Sequence, residues 1–444
     1  MKHPSLLPYV ACLFGFEVYL GTFRFLDWNQ GPARAGLLGL VLLLLLNLRF
    51  WPHRRSGDAD GNRHWERAVL AVVALAVIWN ISVMTLAITQ TMKTGKIRLD
   101  QGQNTYRAAQ ELWKGRNPYA QGALLDRYSY DLRMPERVAA GIGPTIPASG
   151  VEAEMDRYWD TLDPAIRAKL LPVVPPAGSE SARREASLLG YKYGPVPVLF
   201  AAALAPPLGA ASVPVTNGAA CLALFVIIAL ILTRAGAGVV GGGLALSAVM
   251  VDPWITYNYI LLSASDVWPL LFGFAAVLCA MRRWHVALGL CLALAIGSKI
   301  FPAILYLPLL ITARSARAAL AFGAAAIALF LPWTIWDARG LFYNFLYWIV
   351  LVYGDSTSWT HYAATSVVVT VRIMLALFIA FLLFMLVSGR ERRWAWIFAA
   401  VNLSVVAAAS AFHNNYIPWF STWVALAIAE FFVCADDIYA FNRD

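Results

Sequence analysis

Apolar runs of about 20 residues recur along this chain, and lipid is the one solvent that suits so many of them. Inside a bilayer no water is available, so backbone polar groups must pair with one another, in helices or in a closed barrel. The runs are continuous; they are not strands of about ten residues with alternating polarity, and this selects helices. Composition agrees, since 60% of the 444 residues are hydrophobic and 14% charged. Soluble domains carry roughly a quarter charged residues. The expected fold class is an all-α polytopic membrane protein. About 12 spans are expected, near 7–26, 35–50, 68–90, 213–233, 238–254, 257–281, 285–297, 301–312, 318–336, 363–388, 394–411 and 417–434. The first run lacks a small-residue cleavage site and reads as a membrane helix rather than a removed signal peptide.

Three blocks follow: N-terminal spans over 1–90, an outer segment over 91–212, and a C-terminal bundle over 213–444. One set of short loops holds Arg54, Arg55, Arg63, Arg67, Arg234, Arg282, Arg283, Arg314, Arg317, Arg390, Arg392 and Arg393, whereas the other holds only Arg24, Arg34, Lys299 and Arg339. The Arg-rich set belongs in the cytoplasm by the positive-inside rule. A bacterial inner membrane is the expected location, with the segment 91–192 on the periplasmic or exterior side. The net charge of +9 is thereby explained by topology and does not point to nucleic acid. The five cysteines all lie in apolar segments, so neither a disulfide framework nor a zinc site is readable, and no metal or other cofactor is expected. No Walker loop or dinucleotide fingerprint is present.

The long outer segment contains two amphipathic patterns. Leu99, Gly102, Tyr106, Ala109 and Trp113 share one helical face, with Asp100, Gln103, Arg107, Glu111 and Lys114 on the other. Val151, Met155, Tyr158, Trp159 and Leu162 repeat the pattern. Such helices can lie flat on a bilayer. The proline-rich run 195–208 would reverse every later loop if it crossed, so it is expected to dip in and return or to lie along the surface.

Several polar side chains interrupt this apolar background. Asp100 opens an outer helix near the lipid–water boundary, either as a general base for an acceptor hydroxyl or as a carboxylate favoured by the helix dipole. Lys299 breaks an apolar stretch, as a binder of a lipid phosphate or as a snorkelling lysine. Arg372 sits about 13 Å into its run, which calls for an internal partner, either a carboxylate or a ligand phosphate. Asp266 could orient a sugar or pair with Lys299 or Arg372. His361, His413, Asn414 and Tyr416 fall on outer connections, where they suit sugar hydroxyls or serve as interfacial polar groups.

The order of these features resembles a GT-C glycosyltransferase, most nearly the polyprenyl-phosphate-mannose-dependent enzymes of glycosyltransferase family 87. The resemblance rests on Asp100 with Tyr106-Arg107-Ala108-Ala109 and Gly115-Arg116-Asn117-Pro118-Tyr119, on Tyr191-Lys192-Tyr193-Gly194-Pro195, on Lys299-Ile300-Phe301-Pro302, and on His413-Asn414-Asn415-Tyr416. Two departures stand out: two helices precede the one that would open the shared core, and the insertion between Leu124 and Gly190 is longer than the family pattern. The resemblance implies a GT-C-like bundle and Asp100 as general base. It also implies Lys299, with Arg372, at the donor phosphate. Gln103, Arg107, Tyr193, Asp266, His361, His413, Asn414 and Tyr416 are then candidate substrate contacts. The implied partners are membrane lipid, a polyprenyl-phosphate-linked sugar and a glycan or glycolipid acceptor, with inverting transfer. The alternative reading is a secondary transporter or lipid-carrier flippase, with Asp266, Lys299 and Arg372 lining its path.

Overall fold

The structure, a computed structural model, describes residues 15, 63–120, 190–342, 344–345, 363–389, 394–409 and 416–432. The described elements are helical. They are α1 (Arg63–Thr94), α2 (Asp100–Trp113), α3 (Pro195–Leu208), α4 (Ser212–Arg234), α5 (Gly238–Val251), a π-helical stretch Ile255–Leu261, α6 (Val267–Met281), α7 (His285–Ser298), α8 (Pro308–Ala313), α9 (Ala316–Leu341), α10 (Thr365–Val387), α11 (Trp394–Ala408) and α12 (Ile417–Phe432). Among the described residues four helices are long and apolar enough to cross a bilayer: Glu66–Thr94, Pro195–Arg234, Ala316–Ala338 and Ser366–Val387. A bent pair, α5 with the π-helical stretch, would make a fifth. The chain is a membrane protein by these elements. Five further apolar helices are shorter. The expected spans at 7–26 and 35–50, and the second amphipathic helix, lie outside the described residues.

Proline and short polar runs set the breaks. The residue before a proline is pushed into extended backbone. Asp252, before Pro253, has ψ 117° and ends α5, so the span expected at 238–254 stops early. Phe301, before Pro302, has ψ 132°. Together with Lys299, extended at φ −162°, it divides 299–313 into short pieces rather than the one expected run. The single span expected at 257–281 is also divided, because Leu262–Asp266 separates the π-helical stretch from α6. Ser263 there takes φ 61°, which is uncommon for a side chain other than glycine.

The run Pro195–Arg234 is 40 residues, and as one straight rod it would be about 60 Å long, twice the hydrocarbon thickness. Gly209, at φ 55° and ψ −134°, is non-helical and separates α3 from α4. The core lies among α4, α6, α7, α11 and α12. Its centre is aromatic: Phe274 and Phe398 stack on Trp423 at 4.0 and 4.8 Å, and Trp423 Nε1 donates to the Tyr306 hydroxyl at 2.9 Å. α1, α9 and α10 expose rows of large apolar side chains such as Leu75, Leu320 and Leu377, as helices facing lipid do.

Candidate functional site

The site begins with helix α2. The helical face predicted from the sequence is present and packs largely against protein, with Trp113 at its end exposed. Ile97, Ala109 and the partly buried Tyr106 and Leu112 pack against Ala201 and Ala202 of α3 and Val213 of α4. Trp113 donates its indole N–H to the Ala202 carbonyl at 2.6 Å. Gly102 of the same face and the adjoining Gln101 and Thr105 are packed as well. Gly102 approaches Ser263 so closely that a Cβ would collide with it. Gln101 Oε1 accepts a hydrogen bond from the Ser265 N–H at 3.2 Å. The Thr105 hydroxyl shares hydrogen bonds with Ser265 Oγ at 3.1 Å and with the Tyr191 hydroxyl at 3.2 Å. Small residues thus let α2 wedge between α3 and the break before α6, where a bilayer-surface helix would have kept one face open.

That break carries the buried charge. Asn217 of α4 holds it: its Nδ2 donates to the Ala264 carbonyl at 3.1 Å, and its Oδ1 accepts from Trp268 Nε1 at 2.8 Å. Asp266, the next residue after Ser265, has no exposed surface. It accepts a hydrogen bond from Lys299 Nζ at 2.6 Å. The Lys299 side chain is 8% exposed and arrives from the break after α7. Three rings surround the ammonium, with centroids at 4.9 Å (Tyr416), 5.0 Å (Trp419) and 5.7 Å (Tyr193). A desolvated ammonium gains from ring faces as well as from its carboxylate.

The segment carrying Tyr193 is locked to the same break. Gly194 N–H donates to the Ser298 carbonyl at 3.1 Å, and any Cβ at Gly194 would overlap the Gly297 carbonyl. Close backbone approach is the reason glycine stands at this position. The Tyr119 hydroxyl donates to the Tyr193 carbonyl at 2.8 Å, and Tyr191 N–H donates to the Pro118 carbonyl at 2.8 Å. Burial pushes the Tyr119 and Tyr191 phenols well above their ordinary range, so both serve as neutral hydrogen-bonding groups. Asn344 ties the two chain ends at this point: its Oδ1 accepts from Gly190 N–H at 2.9 Å and its Nδ2 donates to the Tyr119 carbonyl at 3.2 Å.

The remaining predicted residues divide. Asp100 is the first residue of α2, immediately before Gln101; its side chain lies outside the described residues, as do His361, His413 and Asn414. Gln103 is turned toward its own chain, its Oε1 accepting from Ile97 N–H at 3.0 Å. Arg107 is half-buried on α2. Arg372 meets the end of α11, its Nε donating to the Ala408 carbonyl at 3.1 Å. Asp266, Lys299, Tyr193 and Tyr416 do come together. Trp419 was not among the candidate residues read from the sequence. Nor was Asp252, a buried carboxylate that accepts from Ser421 Oγ at 2.6 Å and Trp254 N–H at 2.8 Å. An acid inside an apolar run was the available signal for Asp252. Among the described residues no three His, Cys, Asp or Glu side chains gather as a metal site requires.

No protein-family model matches this chain, nor does any curated protein or solved structure.

Proposed function

We propose that this protein is a membrane glycosyltransferase with a GT-C-like bundle of about 12 transmembrane helices. It would move a sugar, mannose or another hexose or pentose, from a polyprenyl-phosphate donor to a hydroxyl of a lipid- or glycan-linked acceptor at the outer membrane face. One observation carries the reading. The first turn of the helix opened by Asp100 is hydrogen-bonded, through Gln101 and Ser265, to the residue next to Asp266, and Asp266 holds Lys299 inside an aromatic cage. The helix that carries the candidate base and the break that carries the buried cation therefore meet from segments far apart in sequence.

In this reading Asp100 takes the proton of the acceptor hydroxyl as its oxygen attacks the anomeric carbon. The bond from that carbon to the phosphate oxygen breaks, the polyprenyl phosphate leaves with the electron pair, and the anomeric centre inverts. Lys299 meets the developing negative charge. Its pairing with Asp266 weakens this role without cancelling it. At about 4 Å an ammonium attracts a unit negative charge by roughly 4 kcal/mol at an effective dielectric near 20, while a carboxylate behind it at about 7 Å repels by roughly 2 kcal/mol. The nearer charge wins. Asp266 also fixes where the ammonium points, which is preorganisation of the kind such catalysis needs. Tyr193 and Tyr416 offer ring faces beside it for a sugar.

The test is purified protein with a panel of polyprenyl-phosphate sugars, following release of polyprenyl phosphate. Asp100→Asn should abolish transfer and leave donor binding intact; near-normal turnover in that variant would refute the assignment. A secondary transporter is the second reading. It is favoured by the 58° bend between α5 and the π-helical stretch, since broken helices line transport sites. Uptake of a labelled solute into proteoliposomes without product formation would select it.

A further inference from the structure

The caged ammonium has an unused donor beside it. Trp419 is 3% exposed, and its Nε1–H has no hydrogen-bond partner among the described residues. An indole nitrogen can only donate, and buried donors are paired in the large majority of cases, so an orphan calls for a cause. Three other indoles among the described residues obey the rule. Trp113 donates to the Ala202 carbonyl, Trp268 to Asn217 Oδ1 and Trp423 to the Tyr306 hydroxyl. The exception is the ring that covers Lys299 at 5.0 Å and stacks on Tyr416 at 4.4 Å. An ammonium carries three donors, and the hydrogen bond to Asp266 uses one.

We infer that Trp419 Nε1 and Lys299 Nζ together bind one oxyanion, the phosphate of a polyprenyl-linked ligand. This rests on the function proposed above and adds a binding residue to it. The cation stands over the ring face while the N–H lies in the ring plane, so two oxygens of a single phosphate can meet the two donors. Stacking on Tyr416 holds the indole at the angle required.

The test is calorimetric titration of the full chain in detergent with a short-chain polyprenyl phosphate, the matching polyprenol and inorganic phosphate. Trp419→Phe keeps an aromatic face, on a smaller ring, and removes the donor. It should weaken polyprenyl-phosphate binding about tenfold or more and leave polyprenol binding unchanged, because a hydrogen bond to a charged group is at stake. Trp419→His, which restores an N–H, should recover part of the loss. The smaller ring leaves a cavity that lowers the thermal midpoint whatever the N–H does, so unchanged polyprenol binding, measured well below that midpoint, is the sign that the fold is kept. Native-like phosphate binding in Trp419→Phe also overturns it while leaving the enzyme reading in place. A native chain that binds phosphate and polyprenol equally well removes both. Inorganic phosphate binding as tightly as the lipid phosphate would assign the site to free phosphate and overturn the lipid-linked part.

Discussion

Lys299 and Arg372 both interrupt apolar stretches near one end of their helices, yet the fold surrounds them differently. Lys299 sits where two breaks meet and is matched by a fully buried carboxylate and three rings. Arg372 sits on an unbroken helix of which only 11% is buried inside the protein, and it reaches a backbone carbonyl at the end of α11. The first arrangement desolvates a charge and compensates it with another charge. The second places a cation at a helix C-terminus, where the macrodipole and unpaired carbonyls favour it. A cation of the first kind is costly unless its surroundings are built for it, and it is the one expected to touch a ligand.

The largest test of this contrast is to remove each cation. Lys299→Met leaves Asp266 charged and buried without its partner, which should cost about 3–5 kcal/mol. Arg372→Met leaves a neutral carbonyl near lipid and should cost about 1–2 kcal/mol. Thermal unfolding in detergent reads both. The double variant Lys299→Met/Asp266→Leu should recover to within about 2 kcal/mol of the native chain, since an apolar pair of similar volume commonly replaces a buried ion pair. It should nonetheless fail to bind a polyprenyl phosphate. A double variant that binds normally would show the pair to be purely structural.

A smaller effect is expected from the backbone contact beneath the cage. Gly194→Ala places a methyl group against the Gly297 carbonyl, and overpacking of this kind costs roughly 1–3 kcal/mol. The shift must move Tyr193 relative to Lys299, so the KM for the donor should rise more than stability falls. Gly236→Ala serves as a control: its φ of 73° strains any side chain, but it lies far along the chain from the cage, between α4 and α5. Equal KM values in the two variants would break the link between the Gly194 contact and the cage.

How much of this was legible in the sequence depends on what each residue does. Span positions read well, because length and hydropathy set them: 68–90 and 363–388 fall within Arg63–Thr94 and close to Thr365–Val387. The break at Leu262–Asp266 did not, because an apolar average hides a short polar run, and the break expected at 255–256 falls instead at Asp252, before Pro253. Lys299 and Asp266 were legible as intramembrane charges, and their pairing was one of several options left open by sequence. Helix α2 was legible in extent and face but not in environment, since periodicity cannot separate a lipid surface from a protein surface rich in alanine. Trp419 was not legible at all, because an orphan donor exists only once its neighbours are placed.

The smallest expected effect sharpens the comparison by moving it to the water side. Glu111 of α2 is also a buried carboxylate, paired with Lys114 at 3.0 Å and with Arg116. Its cations, however, are largely exposed, with 44% of the Lys114 side chain and 60% of that of Arg116 accessible. Burial alone would raise the Glu111 carboxyl, but hydrogen bonds from Arg116 and Lys114 outweigh it and hold the group below its usual value of 4.5. A carboxylate whose folded pKa is depressed contributes stability that is present above the unfolded value and lost as pH falls through the folded one. Glu111→Gln should therefore be less stable than the native chain by about 1 kcal/mol at pH 7, and the gap should close as pH drops below about 4.5. Added salt should narrow it at neutral pH, because exposed cations are screened. Salt should leave the Lys299→Met deficit nearly unchanged, because Asp266 is fully buried and Lys299 almost so. If both deficits respond equally to salt, the distinction between a desolvated pair and a water-side pair fails, and with it the reason for assigning ligand binding to the first.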